Sequence, residues 1–288
     1  MKFISYIFFR ATILLISLIP YSLLYVFSDF LGFILFKIFK YRRSVIRKNI
    51  DYCFPGLSQK EIQQLEAGFF KNFTDITMES LKSISLRDER VIKNIRMDNI
   101  DLLNEYYDKG ESVIILAAHY NNWEWGKYLE HFFKHRVVVT IKKLSNRNID
   151  RYISKSRSGS SLILVNNMFE LGELVKKDDT PKAIVFLIDQ NPMKGKKTLK
   201  SRFFDKEIDF HAVASNFAKD YGLDCVYMTP ERVSRGKYAV NFEALAPSSE
   251  SSSQELLDQY VAMLESRIRA CPQSWMWTHK RFKREMEY

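Results

Sequence analysis

The chain has 288 residues, 46% apolar and 14% aromatic, with only 10 Gly and 7 Pro, which excludes a disordered or collagen-like chain and supplies a large core. Its 44 Lys plus Arg against 34 Asp plus Glu give a formal charge of +10 and ask for a polyanionic partner: nucleic acid, an anionic membrane surface or an acidic protein. Cys53, Cys225 and Cys271 are odd in number and form no CxxC pair, which argues against a disulfide framework and a thiolate zinc site and fits small core residues in a reducing compartment.

The amino terminus narrows the choice of partner. Ala11 to Ser28 carries no charge, and after Asp29 the apolar run resumes from Phe30 to Phe36. That length approaches the roughly 20 residues needed to cross a bilayer core, and no A-x-A-like cleavage site follows, so residues 1–48 read as an uncleaved anchor with a basic juxtamembrane segment. Pro20 and Asp29 interrupt a simple span and leave a kinked or partly re-entrant segment open. Lys2 and Arg10 precede the run, whereas Lys37, Lys40, Arg42, Arg43, Arg47 and Lys48 follow it, a bias that places residues 49–288 on the cytoplasmic side. The alternative is a buried core helix with a solvated basic face.

Beyond the anchor, Ser58 three residues before Glu61 is a capping box that opens a helix from Leu57 to Leu86, with Ile62, Leu65, Phe69, Phe73 and Ile76 at helical spacing. Short β-rich runs follow at Ser112–Ala118, Val137–Ile141, Leu162–Val165, Ala183–Ile188, Cys225–Met228 and Tyr238–Phe242. Their alternation with polar or helical stretches predicts an α/β domain, a mixed, largely parallel sheet flanked by helices, closed by a helix over Gln254–Ala270.

The segment Leu116-Ala-Ala-His119-Tyr-Asn-Asn-Trp123-Glu124-Trp125 places His119 as the first polar residue beyond the carboxyl end of an apolar strand, where such folds hold ligands and reactive groups. Five residues on a regular helix leave His119 and Glu124 about 140° apart, so they meet only across a turn. A neutral imidazole whose one ring N–H is taken by a carboxylate is a general base; a capping histidine and a surface glutamate are the plain alternative. Trp123 and Trp125 read as packing residues.

The HYNNWE block also resembles the signature of the glycerolipid acyltransferase superfamily. With Asn146–Arg151 and Arg157, Asp189-Gln190 after an apolar strand, Phe203-Phe204 and the terminal run Pro272–Lys283, the chain is similar over nearly its whole length to the late acyltransferases of lipid A biosynthesis, the lauroyl and myristoyl transferases. Asp205 stands where a Gly is common in that family. The resemblance implies acyl transfer from acyl carrier protein to a hydroxyl of a lipid A precursor at the cytoplasmic face of the inner membrane. His119 would be the general base and Glu124 its partner, with no cofactor beyond the carrier thioester, no metal and no nucleic acid.

No G-x-S-x-G nucleophile is present, which favours direct transfer over an acyl-enzyme. Arg151 and Arg157 are candidate phosphate contacts, with solvated surface arginines as the alternative; Asp189 and Gln190 either touch substrate or hold the loop after their strand. Trp275 and Trp277 alternate as on a strand and read as core, with Lys280, Arg281 and Lys283 as a headgroup-facing rim. His131 and His135 lack the surrounding motif and third ligand of a zinc site. Two rivals remain: an enzyme acylating a lysophospholipid or aminolipid, and a non-enzymatic membrane-anchored protein that binds anionic lipid or nucleic acid.

Overall fold

Proline fixes its own φ and donates no backbone N–H, so a long apolar helix cannot pass through Pro20 undisturbed. In the computed structural model, which describes residues 2–85, 89–141, 143–157 and 162–288, without the side chains of Lys2 and Arg157, the uncharged run divides there. α1 spans Lys2–Leu18, and α2 spans Tyr21–Phe33 with Pro20 as its N-cap, continuing as a wide turn at Ile34–Ile38. The stretch Tyr21–Ile38 is long and apolar enough to cross a membrane by length and composition. The carbonyls freed at the end of α1 are collected by one ammonium: Lys82 Nζ donates to Ile16 O at 3.3 Å, Ser17 O at 2.9 Å and Ile19 O at 2.5 Å.

Lys82 belongs to α4 (Gln59–Ser83), which follows α3 (Arg43–Cys53) and opens on the expected capping box of Ser58 and Glu61. Its end is at Ser83; Leu86 lies outside the described residues. One side of α4 is the apolar stripe of Ile62, Phe69 and Ile76; another carries Asn72, Asp75, Glu79 and Lys82, all buried. Asp75 accepts from Ser28 Oγ of α2 at 2.5 Å and from two arginines, Arg232 Nη2 at 2.5 Å and Arg235 Nε at 2.8 Å. Glu66 meets Arg47 Nε of α3 at 2.9 Å. Gly32 lets α2 approach closely, since a Cβ there would stand 3.1 Å from Thr74 Oγ1.

The remaining elements build the sheet. α5 (Glu89–Ile92), β1 (Ile95–Asp98) and α6 (Asp101–Asp108) lead to β2 (Val113–Ala117). A 3₁₀ segment over Trp123–His131 precedes β3 (Arg136–Thr140), α7 (Arg147–Arg157), β4 (Ile163–Val165), α8 (Met168–Lys177) and β5 (Lys182–Leu187). Then come β6 (Thr198–Phe203), β7 (Lys206–His211), α9 (Val213–Tyr221), β8 (Asp224–Ser234), β9 (Lys237–Ala244) and α10 (Ser253–Ala270). Seven strands run in the order β1-β9-β8-β2-β5-β3-β4, parallel except for the β8/β9 hairpin. Both faces are covered, as a parallel sheet requires: Ile114, Leu116 and Phe186 pack on one side, Val113, Ile115 and Val185 on the other.

Each expected strand is present within a residue or two, apart from the Cys225–Met228 run, which extends into the longer β8. β6 and β7 form a separate hairpin that the sequence reading did not resolve, because Thr198–His211 is rich in charge and lacks an uninterrupted apolar run. Its two turn residues, Phe204 and Asp205, have φ of 50° and 62°, the left-handed pair of a tight hairpin turn. That explains why a Gly suits position 205, and why Asp, which tolerates this region, can replace it.

The tip of the β8/β9 hairpin rests on α2. Arg235 pairs with Asp29 through Nη1 to Oδ2 at 2.9 Å, and Gly236, at φ 69°, lies so close to the Tyr25 hydroxyl that any Cβ would collide with it. Replacing Lys82 by Met is expected to leave the end of α1 uncapped and cost about 1–3 kcal/mol. A lowered melting temperature and faster proteolytic release of α1 in lipid nanodiscs check this.

Candidate active site

A polar residue just past the end of a buried parallel strand is surrounded by the carboxyl ends of its neighbours, so its side chain is held by whatever those ends present. His119 follows β2, and Asp189 follows the adjacent strand β5. His119 Nδ1 lies 2.7 Å from Asp189 Oδ1, and Asp189 Oδ2 accepts the His119 backbone N–H at 3.1 Å and the Trp275 indole N–H at 2.9 Å. The carboxylate is only 2% exposed. It therefore stands behind the imidazole and holds both its main chain and its ring; against a carboxylate the neutral ring carries its proton on Nδ1 and its lone pair on Nε2.

Burial is the strongest single influence on both groups, opposing the charge on each, yet their mutual attraction and hydrogen bonding prevail. The imidazole pKa is raised above its ordinary 6.5 and the carboxyl pKa lowered below 3.8. Glu124 adds a smaller electrostatic pull in the same direction on His119.

The backbone around His119 is fixed residue by residue. The His119 carbonyl accepts from Met276 N at 3.0 Å, and Tyr120 forms an antiparallel bridge with Trp275. Asn121, at φ 48°, donates from its backbone to Ser274 O and from its side chain to Pro230 O, each at 2.8 Å. Asn122 Nδ2 donates to Glu79 Oε2 of α4 at 2.7 Å. Glu79 also accepts from Tyr25 and Tyr238 at 2.8 Å each, although burial still raises its pKa. The turn required between His119 and Glu124 is thus present, and it carries the chain into the Trp123–His131 segment.

His119 and Glu124 line one cavity of about 320 Å³ together with Trp123 and Lys127. The rest of its wall is largely apolar, from Val139, Leu162, Leu164, Val185, Leu187 and Met228, with Thr140 as a polar exception. A second apolar groove shares Trp123, Glu124 and Lys127 with it and runs between α1, α4 and α7 past Phe9, Phe73 and Ile153.

Glu124, the acid expected to partner His119, stands instead at the cavity wall, and Asp189, expected to touch substrate or hold the loop after its strand, takes the imidazole N–H. Gln190 turns to the terminal segment, with Nε2 3.8 Å from Met276 Sδ. Arg151 lies on the exposed side of α7, away from the His119 cavity; Arg157 ends that helix, and its side chain is outside the described residues. Trp125 packs in the core as expected, whereas Trp123 faces the cavity, with its ring 5.3 Å from His119.

Trp275 and Trp277 are buried as expected but lie outside regular strands. Arg281 departs from the expected rim: it is 1% exposed, lies 4.2 Å from the Phe210 ring centroid and donates to Asp209 O at 2.9 Å. The apolar body and delocalised charge of a guanidinium permit this. Trp275 as an Asp189 donor was missed because a Trp in an apolar run gives no sign of which way its N–H points.

A partly buried imidazole backed by a buried carboxylate, opening on a largely apolar slot at the edge of a mostly parallel sheet, fits group transfer involving a long apolar substrate. The chain matches the family described as bacterial lipid A biosynthesis acyltransferase over residues 2–284, and it belongs to that family of acyltransferases. It is 22% identical over 270 residues to the lipid A biosynthesis palmitoleoyltransferase of Escherichia coli (strain K12), covering 92% of this chain and 86% of that one. It shows the same identity and coverage with a lipid A biosynthesis acyltransferase of Shigella flexneri.

The shifts at the paired groups fix a sign for stability. The raised His119 pKa contributes stability below pH 6.5 that is lost as pH rises through its native value; the lowered Asp189 pKa contributes above pH 3.8 and is lost as pH falls through its native value. The pair therefore stabilises most between about pH 4 and 6.5. Asp189→Asn is expected to flatten stability across that window and lower the His119 pKa, measured by denaturation at several pH values and by ring-proton NMR titration.

Proposed function

We propose that the protein transfers a fatty acyl chain from acyl carrier protein directly to a hydroxyl of a lipid A precursor, with His119 as general base. The observation that carries this reading is the orientation of His119: Asp189 engages Nδ1, while the imidazole lines an apolar cavity that also contains Glu124 and Lys127. In the proposed step, Nε2 takes the proton of the acceptor hydroxyl as its oxygen attacks the thioester carbonyl. The carbon–sulfur bond then breaks, and the carrier thiolate leaves with the proton returned by the imidazolium. Asp189 steadies the charged ring throughout, and Glu124 adds negative charge at the cavity wall.

Among the described residues that line the cavity there is no Ser or Cys, and the one hydroxyl is that of Thr140, which supports transfer without an acyl-enzyme. Among the described residues Lys127 supplies the cationic side chain on that wall, and it is the group proposed to offset charge developing on the carbonyl oxygen. Leu162, Leu164, Val185 and Leu187 would surround the donor acyl chain. Phe8, Leu15, Leu18, Val26 and Phe30 leave much apolar surface exposed on α1 and α2, which supports seating at a membrane, proposed to be the cytoplasmic face of the inner membrane. The juxtamembrane lysines and arginines would meet its anionic headgroups.

His119→Ala is expected to lower kcat/KM by about 10² to 10⁴-fold with folding and membrane association retained. An in vitro assay with acyl carrier protein thioesters and a lipid A precursor measures it; a wild-type rate would sink the mechanism. Because the base must be neutral, the acidic limb of the wild-type kcat/KM profile is expected above pH 6.5 and should move down in Asp189→Asn.

A further inference from the structure

The site described so far says nothing of how the polar end of a lipid acceptor is held. One pocket outside it has the chemistry to do so. Between α1 and α7 lies an open recess of about 530 Å³ lined by Arg10, Arg151 and Lys155, with Phe3, Tyr6 and Tyr152 as its aromatic wall and no Asp or Glu among the described residues that line it. The Arg10 guanidinium carbon lies 5.6 Å from the Tyr152 ring centroid and 5.9 Å from that of Tyr6. The two rings also pack edge to face, with centroids 6.3 Å apart. A guanidinium held against aromatic rings keeps its rim of N–H donors for an anion.

The recess and the reaction cavity flank a common neighbour. The recess shares Ile84 and Ser156 with the apolar groove between α1, α4 and α7, and that groove shares Trp123, Glu124 and Lys127 with the His119 cavity. The three follow one another across shared walls: a basic recess, an apolar groove and the imidazole cavity. Phe3, which lines the recess, also belongs to the exposed apolar surface of α1.

We propose that this recess is a phosphate-binding site for the acceptor lipid: Arg10 and Arg151 grip a phosphate on its headgroup, and one of its hydrocarbon chains lies in the adjoining groove. The inference rests on the reading of His119 as the reacting centre. Two guanidiniums suit the doubly charged oxygens of a phosphate monoester, which each can engage through two parallel N–H bonds. The aromatic wall and the neighbouring apolar face suit a lipid rather than a soluble phosphate. Because Arg10 belongs to an amino-terminal membrane-facing helix and Arg151 to the sheet domain, the site is complete only when α1 is docked.

The test uses the full-length protein in neutral phosphatidylcholine nanodiscs, with an acyl carrier protein thioester as donor. Two acceptors are compared: a bisphosphorylated disaccharide lipid bearing free acyl-chain hydroxyls, and the same lipid after phosphatase treatment. The double variant Arg10→Gln, Arg151→Gln is expected to raise KM for the phosphorylated acceptor roughly tenfold to a hundredfold, with kcat nearly unchanged and no effect on the dephosphorylated one. Arg10→Lys with Arg151→Lys should recover part of the loss. Equal losses on both acceptors would overturn the site, as would an unchanged KM accompanied only by weaker partition onto phosphatidylglycerol vesicles, which would mark general attraction to anionic lipid. If folded wild-type protein acylates neither acceptor, the reading of the His119 centre fails first, and this inference with it.

Discussion

Charged groups enter a protein interior only with partners, and the polar stripe of α4 is where that constraint governs this molecule. Asp75 binds α2 and the β8/β9 hairpin; Glu79 binds α2, β9 and the loop after His119; Lys82 closes the end of α1. Each of these buried groups has several partners, so each ties more than one segment to α4. The amino-terminal helices, the hairpin and the reactive loop are consequently held in a common geometry by one helix.

Asp189 performs the equivalent task at the sheet edge. It joins the ends of β2 and β5 to the terminal segment through three hydrogen bonds, and in doing so sets which imidazole nitrogen faces the cavity. The same carboxylate thus has an architectural role and an electrostatic one. A substitution that kept its shape but removed its charge would separate the two.

Much of this was legible in the sequence because the signals were local. The Ser58–Glu61 cap, the apolar strand runs and the position of His119 at a strand end depend on residues close along the chain, and the structure reproduces them. Long-range pairing was not legible. Glu124 was the nearest acid to His119 in sequence, but Asp189, 70 residues away, is the one β-sheet pairing brings to the ring. Spacing likewise shows the apolar face of α4 and says little of its second, polar stripe, since buried acids look like solvated ones until their partners are placed. Arg281 is the converse case, a charge read as exposed because three basic neighbours surround it in sequence.

The exposed apolar surface of α1 and α2 has a bearing on what stability means for this protein. Amphiphiles that cover Phe8, Leu18 and Phe30 bind the folded arrangement of the helices, and by mass action they shift its unfolding equilibrium. A melting temperature is then a joint property of the chain and its surroundings. Values taken in different detergents compare micelles as well as sequences, so variants are ranked fairly only within one lipid composition.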